Sequence, residues 1–304
     1  MTINCPNIAH YDWREALKRL DGAYAPSIMK SYRVNVEIFV SWCNARGYEA
    51  LPASVETLAE FLNDQAKTCS ISTIRIRYYA IRKIHRLLDL PDCTDAEEIN
   101  LVLRRIRRSK FYRPKQAKAL IGDHKTKFIC AQPATPWGLR DKAIIALGYD
   151  ILARRSELVS IKTTDIEFRS DETVRVIIRR SKSDPFGSGR IAYTSRETAN
   201  LLTEWLSWRG ESFEYLFCPI HQDKALNRSL NATTIKRVIK KAAKLAGFDE
   251  GDVKNFSGHS MRVGAAQDLL CAGYDTAAIM RAGGWKSVAV LARYLEAAEH
   301  NVWA

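Results

Sequence analysis

Apolar residues recur at helical spacing through the first hundred positions of this chain of 304 residues. From about residue 20 to 108 the pattern is helical throughout. Ser27 is placed to cap a helix whose stripe runs Tyr32, Val36, Phe39, Val40 and Cys43, ending near Gly47. Pro52-Ala53-Ser54 opens a second helix with Val55, Leu58, Phe61 and Leu62 inward. Ser72 opens a third, running to about Leu88, with Ile74, Tyr78, Ile81 and His85 or Leu88 on its apolar line. Arg75, Tyr79, Arg82 and Arg86 fall on another face of it, and Pro91 stops it. Thr94-Asp95-Ala96-Glu97 has the form of a capping box before a last helix carrying Leu101, Val102 and Ile106.

Between Leu103 and Ala119 the character changes. Arg104, Arg105, Arg107, Arg108, Lys110, Arg113, Lys115 and Lys118 occur with no acid among them, and Pro114 breaks any helix. Eight like charges repel one another unless something neutralises them, which suits a segment laid along phosphates. The organisation expected is a tail over 1–19, a helical domain over 20–108, a basic linker over 109–122 and a larger domain over 123–304. In that larger domain Ala143-Ile144-Ile145-Ala146-Leu147 marks a strongly apolar helix. Val174 to Ile178 and Arg190 to Tyr193 read as the two strands of a hairpin turned by Asp184-Pro185-Phe186-Gly187-Ser188-Gly189. The rest is mostly helical, at about 196–209, 231–246, 258–271, 275–281 and 287–299. The fold class is therefore mainly α with a small β-hairpin.

Charge sharpens this picture. Forty-seven Lys and Arg against thirty-four Asp and Glu give +13, which favours a polyanionic partner, nucleic acid being the commonest. No apolar run is long enough for a transmembrane helix, and Met1 to Pro6 lacks the build of a signal peptide. The seven cysteines are scattered and never form Cys-x-x-Cys, against a disulfide scaffold or a zinc site. The expectation is a reduced, cytoplasmic protein without a metal.

The candidate chemistry gathers near the C-terminus: Gly258-His259-Ser260-Met261-Arg262, Gly283-Gly284-Trp285 and Arg293-Tyr294. His-x-x-Arg puts an imidazole and a guanidinium one turn apart on one helix face. Guanidinium matches phosphate oxygens, histidine moves protons near neutral pH, and tyrosine can be a covalent nucleophile. Upstream, Ala153-Arg154-Arg155-Ser156-Glu157-Leu158 places Arg154 and Glu157 on one face, where the carboxylate can orient the guanidinium. Taken alone, that spacing is equally a surface ion pair.

Together these residues resemble the tyrosine recombinase (phage integrase) family, through Ser257-Gly258-His259-Ser260, Arg262-Val263-Gly264-Ala265-Ala266, Ala282-Gly283-Gly284-Trp285 and the spacing of nine from Trp285 to Tyr294. The resemblance implies an N-terminal helical core-binding (SAM-like) domain and a mixed, mostly helical catalytic domain, clamping duplex DNA from opposite sides. It implies a site-specific recombinase that cleaves and rejoins DNA through a 3′-phosphotyrosyl intermediate at inverted-repeat sites, for integration, excision or resolution. Tyr294 would be the nucleophile, and Arg154 and Arg262 the clamp on the scissile phosphate. His259 would assist proton transfer or donate to the same phosphate. Lys182, before the hairpin turn, would be the general acid, with Arg179 and Arg180 as neighbouring alternatives. Trp285 would donate its indole N–H to phosphate or pack the terminal helix, and Glu157 would support. No cofactor, ATP or metal is implied, since two arginines and a lysine supply the positive charge.

DNA contacts are expected from Arg75, Tyr79, Arg82 and Arg86 as the reading face, and from Arg104, Arg105, Arg107 and Arg108 on phosphates. The family also implies a homotetramer on two sites, from a monomer or weak oligomer without DNA. Only ten residues follow Tyr294, where relatives carry a further helix that docks into a neighbouring subunit. Here the exchange would fall to the tail His300 to Ala304 or to the terminal helix. Two rivals share part of this pattern: a type IB topoisomerase, with the same chemistry but rotation instead of exchange, and a degenerate integrase that only binds DNA.

Overall fold

A computed structural model describes residues 11–110, 116–179 and 189–298. The chain divides into two compact units between residues 114 and 115, inside the expected linker.

The first unit is a helical bundle: α1 (Trp13–Lys18), α2 (Pro26–Asn44), α3 (Val55–Thr68), α4 (Ile71–Leu87) and α5 (Glu97–Ser109). Asp12 caps α1, and Trp13, Ala16 and Leu17 are buried, so part of the expected tail belongs to the bundle. In α2, Pro26 takes the first helical turn, where its missing N–H costs nothing, and Ser27 lies inside the helix instead of capping it. Ser54 caps α3 as its sequence indicates, its hydroxyl accepting from the Thr57 N–H at 3.1 Å. The cap of α4 is Ser70, two residues before Ser72, accepting from the Thr73 N–H at 3.2 Å. The expected capping box at Thr94 is replaced by a 3-10 turn, Cys93–Asp95, and α5 begins after Ala96 with Glu97 and Glu98 facing the positive end of its dipole. The basic run Arg104 to Arg108 is thus helical, its side chains exposed around a buried Ile106. Phe61 meets Phe39 edge-on at 4.9 Å and Trp42 at 5.3 Å in the core. His85 is buried beside them with both ring nitrogens engaged, one by the Ala53 N–H at 3.0 Å and one by the Ile81 carbonyl at 2.9 Å.

The second unit is built around α7 (Pro136–Asp150), apolar on nearly all sides and covered by its neighbours. α6 (Gly122–Cys130), α9 (Arg196–Arg209) and α12 (Ser260–Cys271) pack directly on it. A turn through the left-handed Leu152 leads to α8 (Arg155–Ser160). β1 (Ile166–Phe168), β2 (Val174–Ile178) and β3 (Arg190–Tyr193) form an antiparallel sheet in chain order, with Ile178 opposite Arg190. Val174, Val176, Ile178 and Ala192 are its buried positions. A small hairpin, β4 (Ile220–His221) and β5 (Lys224–Ala225), precedes α10 (Ala232–Leu245), α11 (Glu250–Asn255), α13 (Thr276–Gly283) and α14 (Val288–Leu295). The turn between β2 and β3, with Lys182 and Arg180, and the tail from His300 to Ala304 lie outside the described residues, as do Arg113 and Lys115.

The start of α12 is held by a close backbone approach. The Leu120 N–H donates to the Ser260 carbonyl at 3.0 Å, and a Cβ on Gly264 would stand 1.8 Å from the Leu120 carbonyl oxygen. Backbone cannot yield as a flexible side chain does. Gly264→Ala therefore destabilises the second unit by at least the ~1–3 kcal/mol typical of overpacking. Differential scanning calorimetry of the full chain checks this: that unit's transition falls, and the first unit's does not.

Candidate active site

His259, Arg262, Trp285 and Tyr294 converge on one cluster. His259 is the cap residue of α12 and Arg262 lies in its first turn, so the helix start carries both. Trp285 follows α13, which ends at a left-handed Gly284 with φ +66°. A Cβ on Gly283 would overlap the Trp285 ring at 1.9 Å, so the indole folds back over a position that only glycine leaves open. The Tyr294 ring lies edge-on to Trp285 at 5.1 Å, and its hydroxyl is 2.6 Å from His259 Nε2. The α14 backbone is tied to α12 as well, the Gln267 amide donating to the Tyr294 carbonyl at 2.9 Å.

Arg262 is 0% exposed. One amino group donates to the Leu152 carbonyl, and the guanidinium lies 3.8 Å above the Trp285 ring. Its Nε and Nη2, and the Trp285 indole Nε1, are buried with no partner among the described residues. Buried donors are normally satisfied, and three unsatisfied ones together describe a place for acceptor oxygens. Arg154, at the cap of α8, sends Nη1 to Glu157 Oε1 at 2.5 Å and its backbone N–H to Oε2 at 3.1 Å. Glu157 is itself buried, so it fixes Arg154 firmly and is no surface ion pair. Arg155, the other candidate in that motif, is exposed, and its stem lies where a Cβ on Gly258 would be.

The charge in the cluster is unbalanced. Burial, with Arg154 next, lowers the Arg262 pKa to about 10, and it stays charged at neutral pH. Burial, then the positive charges of Arg262, Arg154 and Arg155, push the His259 pKa down to about 4. The imidazole is therefore neutral, and with its proton on Nδ1 it accepts from the Tyr294 phenol at Nε2. Lys182 lies outside the described residues; its neighbour Arg179 pairs with the buried Asp165 at 2.5 Å.

The eight residues expected at DNA divide unevenly. Arg75 and Tyr79 are exposed together, Nη2 of Arg75 standing 3.4 Å from the Tyr79 hydroxyl. Arg82 and Arg86 instead pair with Asp92 and Asp95, Arg86 at 2.8 and 3.0 Å, acids that follow α4 in the chain. Arg104, Arg107 and Arg108 are exposed on α5, and Arg105 reaches Glu98 at 3.2 Å. Sequence reasoning passed over Arg190, whose Nη2 reaches Glu157 Oε2 at 3.3 Å. The cationic face of α10, formed by Lys236, Arg237, Lys240, Lys241 and Lys244 in a helix with no acid, was legible from composition.

A tyrosine hydroxyl thus meets an imidazole beside buried donors that have no acceptor among the described residues. The phage integrase family model matches residues 110–301, and the chain belongs to that family, the tyrosine recombinases. It is 31% identical over 297 residues to the integrase/recombinase xerD homolog of Selenomonas ruminantium, covering 93% of this chain and 85% of the relative. It is 26% identical to recombinase cre of Escherichia phage P1, over 84% of this chain and 80% of that one. In fold it resembles a crystal structure of XerH site-specific recombinase in a post-cleavage complex, with a TM-score of 0.67 and 18% identity over 93% of this chain and 79% of the other. A lambda integrase (75–356) dimer bound to a core site gives 0.65 and 16% over 95% and 96%.

The depressed histidine carries a sign. An unfolded chain binds this proton near the ordinary 6.5, the folded one only near 4, so His259 contributes stability above 6.5 that is lost as pH falls toward 4. An NMR titration of the His259 ring in the free protein should show it neutral at pH 6, with its midpoint near 4. A midpoint at or above 6.5 contradicts this arrangement.

Proposed function

We propose that this chain is a site-specific DNA recombinase that cuts and rejoins duplex DNA through Tyr294. The observation that carries this reading is the Tyr294 hydroxyl 2.6 Å from His259 Nε2, in the same cluster as the unpartnered donors of Arg262 and Trp285. The scissile phosphodiester takes the acceptor place, its non-bridging oxygens against Arg262, Arg154 and the Trp285 N–H. The phenol gives its proton to His259, and the phenolate oxygen forms a bond to phosphorus as the bond to the 5′-oxygen breaks. That oxygen leaves with a proton from Lys182, giving a 3′-phosphotyrosyl bond and a free 5′-hydroxyl. The number of phosphoester bonds is unchanged, so a 5′-hydroxyl reverses the step without ATP. Charge that develops on the phosphate is met by fixed donors, the largest single contribution in many enzymes.

Substrate binding also adjusts the base. His259 is held down in part by the positive charges of Arg262 and Arg154. A bound phosphate offsets those charges, so the imidazole becomes a better proton acceptor when there is something to cleave. Four copies would act on two inverted-repeat sites brought together, each chain monomeric or weakly associated before it meets DNA, in the cytoplasm where the DNA lies. Arg75 and Tyr79 are the free members of the α4 face for reading bases, and the exposed arginines of α5 are suited to phosphates.

A nicked suicide substrate tests the reaction. Wild-type protein should be trapped on the 3′ side of the break, and Tyr294→Phe should bind DNA but form no adduct. Trapping that persists in Tyr294→Phe, or that maps to another tyrosine, rejects the assignment. Binding measurements test the division of labour between helices. Arg75→Ala should narrow the affinity gap between target and random DNA by about 1–3 kcal/mol if it reads guanine. Arg107→Ala and Arg108→Ala should weaken both equally, each reducing the salt slope by about 0.9. Equal losses on both DNAs for Arg75→Ala place base reading elsewhere, the cationic face of α10 being the next candidate.

A further inference from the structure

Arg190 opens β3, and its guanidinium joins three parts of the site. Nη1 donates to the Ala282 carbonyl at 2.7 Å, in the last turn of α13 just before Gly283-Gly284-Trp285. Nη2 donates to the Ile151 carbonyl at 2.8 Å and to Glu157 Oε2 at 3.3 Å. The side chain is 13% exposed, and a Cβ on Gly284 would come within 2.9 Å of its Cδ. The second glycine of the Gly-Gly-Trp motif therefore gives Arg190 room as well as supplying the left-handed turn.

Two features separate this from an ordinary structural ion pair. Glu157 divides its two oxygens between the guanidinium groups of Arg154, through Oε1, and Arg190, through Oε2. Arg190 thus sets the carboxylate that in turn sets Arg154. Further, Arg190 and Arg262 hold consecutive carbonyls, Ile151 and Leu152, of the left-handed turn between α7 and α8. That turn delivers Arg154, so both phosphate-facing arginines are referenced to one short piece of backbone. The Ala282 contact adds the segment that seats Trp285 against Arg262. One planar fork with donors at fixed angles can reach all three acceptors, where a single ammonium cannot.

We propose that Arg190 is a positioning residue for DNA cleavage, holding Glu157, the α7–α8 turn and the end of α13 so that Arg154, Arg262 and Trp285 present their donors to one phosphate. Its hydrogen bonds run to Glu157, Ile151 and Ala282 and not to Tyr294, so its effect passes through Glu157 and through Ala282. The inference rests on the reading of Tyr294 as the nucleophile.

The experiment is a double-mutant cycle between Arg190 and Glu157 in the full-length protein. Arg190→Met, Arg190→Lys, Glu157→Gln and the combination Arg190→Met with Glu157→Gln are compared with wild type. Each is measured by the single-turnover rate of covalent adduct formation on the suicide substrate, by DNA affinity and by thermal melting. Misplacement of catalytic groups by about an ångström costs up to ~10²-fold in rate. Arg190→Met should therefore cleave about 10–100-fold more slowly while binding DNA within about threefold of wild type. Arg190→Lys, which keeps the charge near Glu157, should recover part of that loss. Because both substitutions interrupt one chain of contacts, the combined variant should be at most about threefold slower than the worse single one. Should Arg190→Met melt too low to assay, Arg190→Lys and Glu157→Gln with their combination give the same comparison. Wild-type cleavage rates in the Arg190 variants, losses that multiply independently, or DNA affinity that falls in step with cleavage would each overturn the proposal while leaving Tyr294 in place. Absence of any adduct from wild-type protein would overturn the recombinase reading, and the role of Arg190 with it.

Discussion

Arg262 enters the second unit with no contact to solvent, and its charge has to be tolerated by whatever surrounds it. A buried ion without partners is costly enough that most groups give up the charge instead. Here the guanidinium stays charged, supported by the Leu152 carbonyl and the face of Trp285. The neighbouring features follow from that support. Gly283 is needed because the Trp285 ring occupies the space of a side chain there. The left-handed Leu152 turns its carbonyl into the site while passing the chain to Arg154. Gly264 allows α12 to approach residue 120 closely, which fixes the helix start that carries His259 and Arg262.

The support is incomplete in one direction. Two guanidinium nitrogens of Arg262 and the Trp285 indole N–H lack acceptors among the described residues, while both amino groups of Arg190 are engaged at Ile151, Glu157 and Ala282 with only its Nε left over, and Arg154 is engaged at Glu157. Arg262 and Trp285 thus leave three donors open in the cluster that holds Tyr294. Glu157 shows how the balance is kept. It is a carboxylate shared by Arg154 and Arg190, buried away from solvent, and it reaches Arg262 only through space, without a hydrogen bond.

Much of this was legible from sequence because it is local. His259 and Arg262 lie within one turn, and the Gly-Gly-Trp motif and Tyr294 follow within a short, regular segment, so their types and spacing carry the chemistry. The hairpin strands showed through alternation and turn residues, and α7 through its apolar run. Errors arose where neighbours in sequence offered equivalent choices. Ser70 and Ser72 could each cap α4, and the cap fell to the one whose hydroxyl meets the Thr73 N–H. Thr94 to Glu97 matched a capping box, yet Asp92 accepts from the Thr94 N–H at 3.0 Å and turns those residues into a 3-10 turn. Arg190 carried no signal at all, because its acceptors lie 33, 39 and 92 residues away and two of them are backbone carbonyls that any residue provides.

The α4 face illustrates the same distinction with a functional consequence. Four residues at helical spacing share a side, and periodicity treats them alike. Tertiary structure does not, because Asp92 and Asp95 return beneath the C-terminal half of the helix and engage Arg82 and Arg86. Those two arginines can meet a phosphate only by giving up or sharing a carboxylate, which offsets most of what a new ion pair contributes. Arg75 and Tyr79 face no such competition, and their mutual contact at 3.4 Å stiffens an otherwise mobile side chain in a solvent-facing position. A pre-ordered guanidinium loses less entropy when it engages a base edge. The two halves of one amphipathic helix therefore differ in their partners: the C-terminal arginines are engaged by Asp92 and Asp95, and the N-terminal pair meets solvent with only each other as side-chain partner among the described residues.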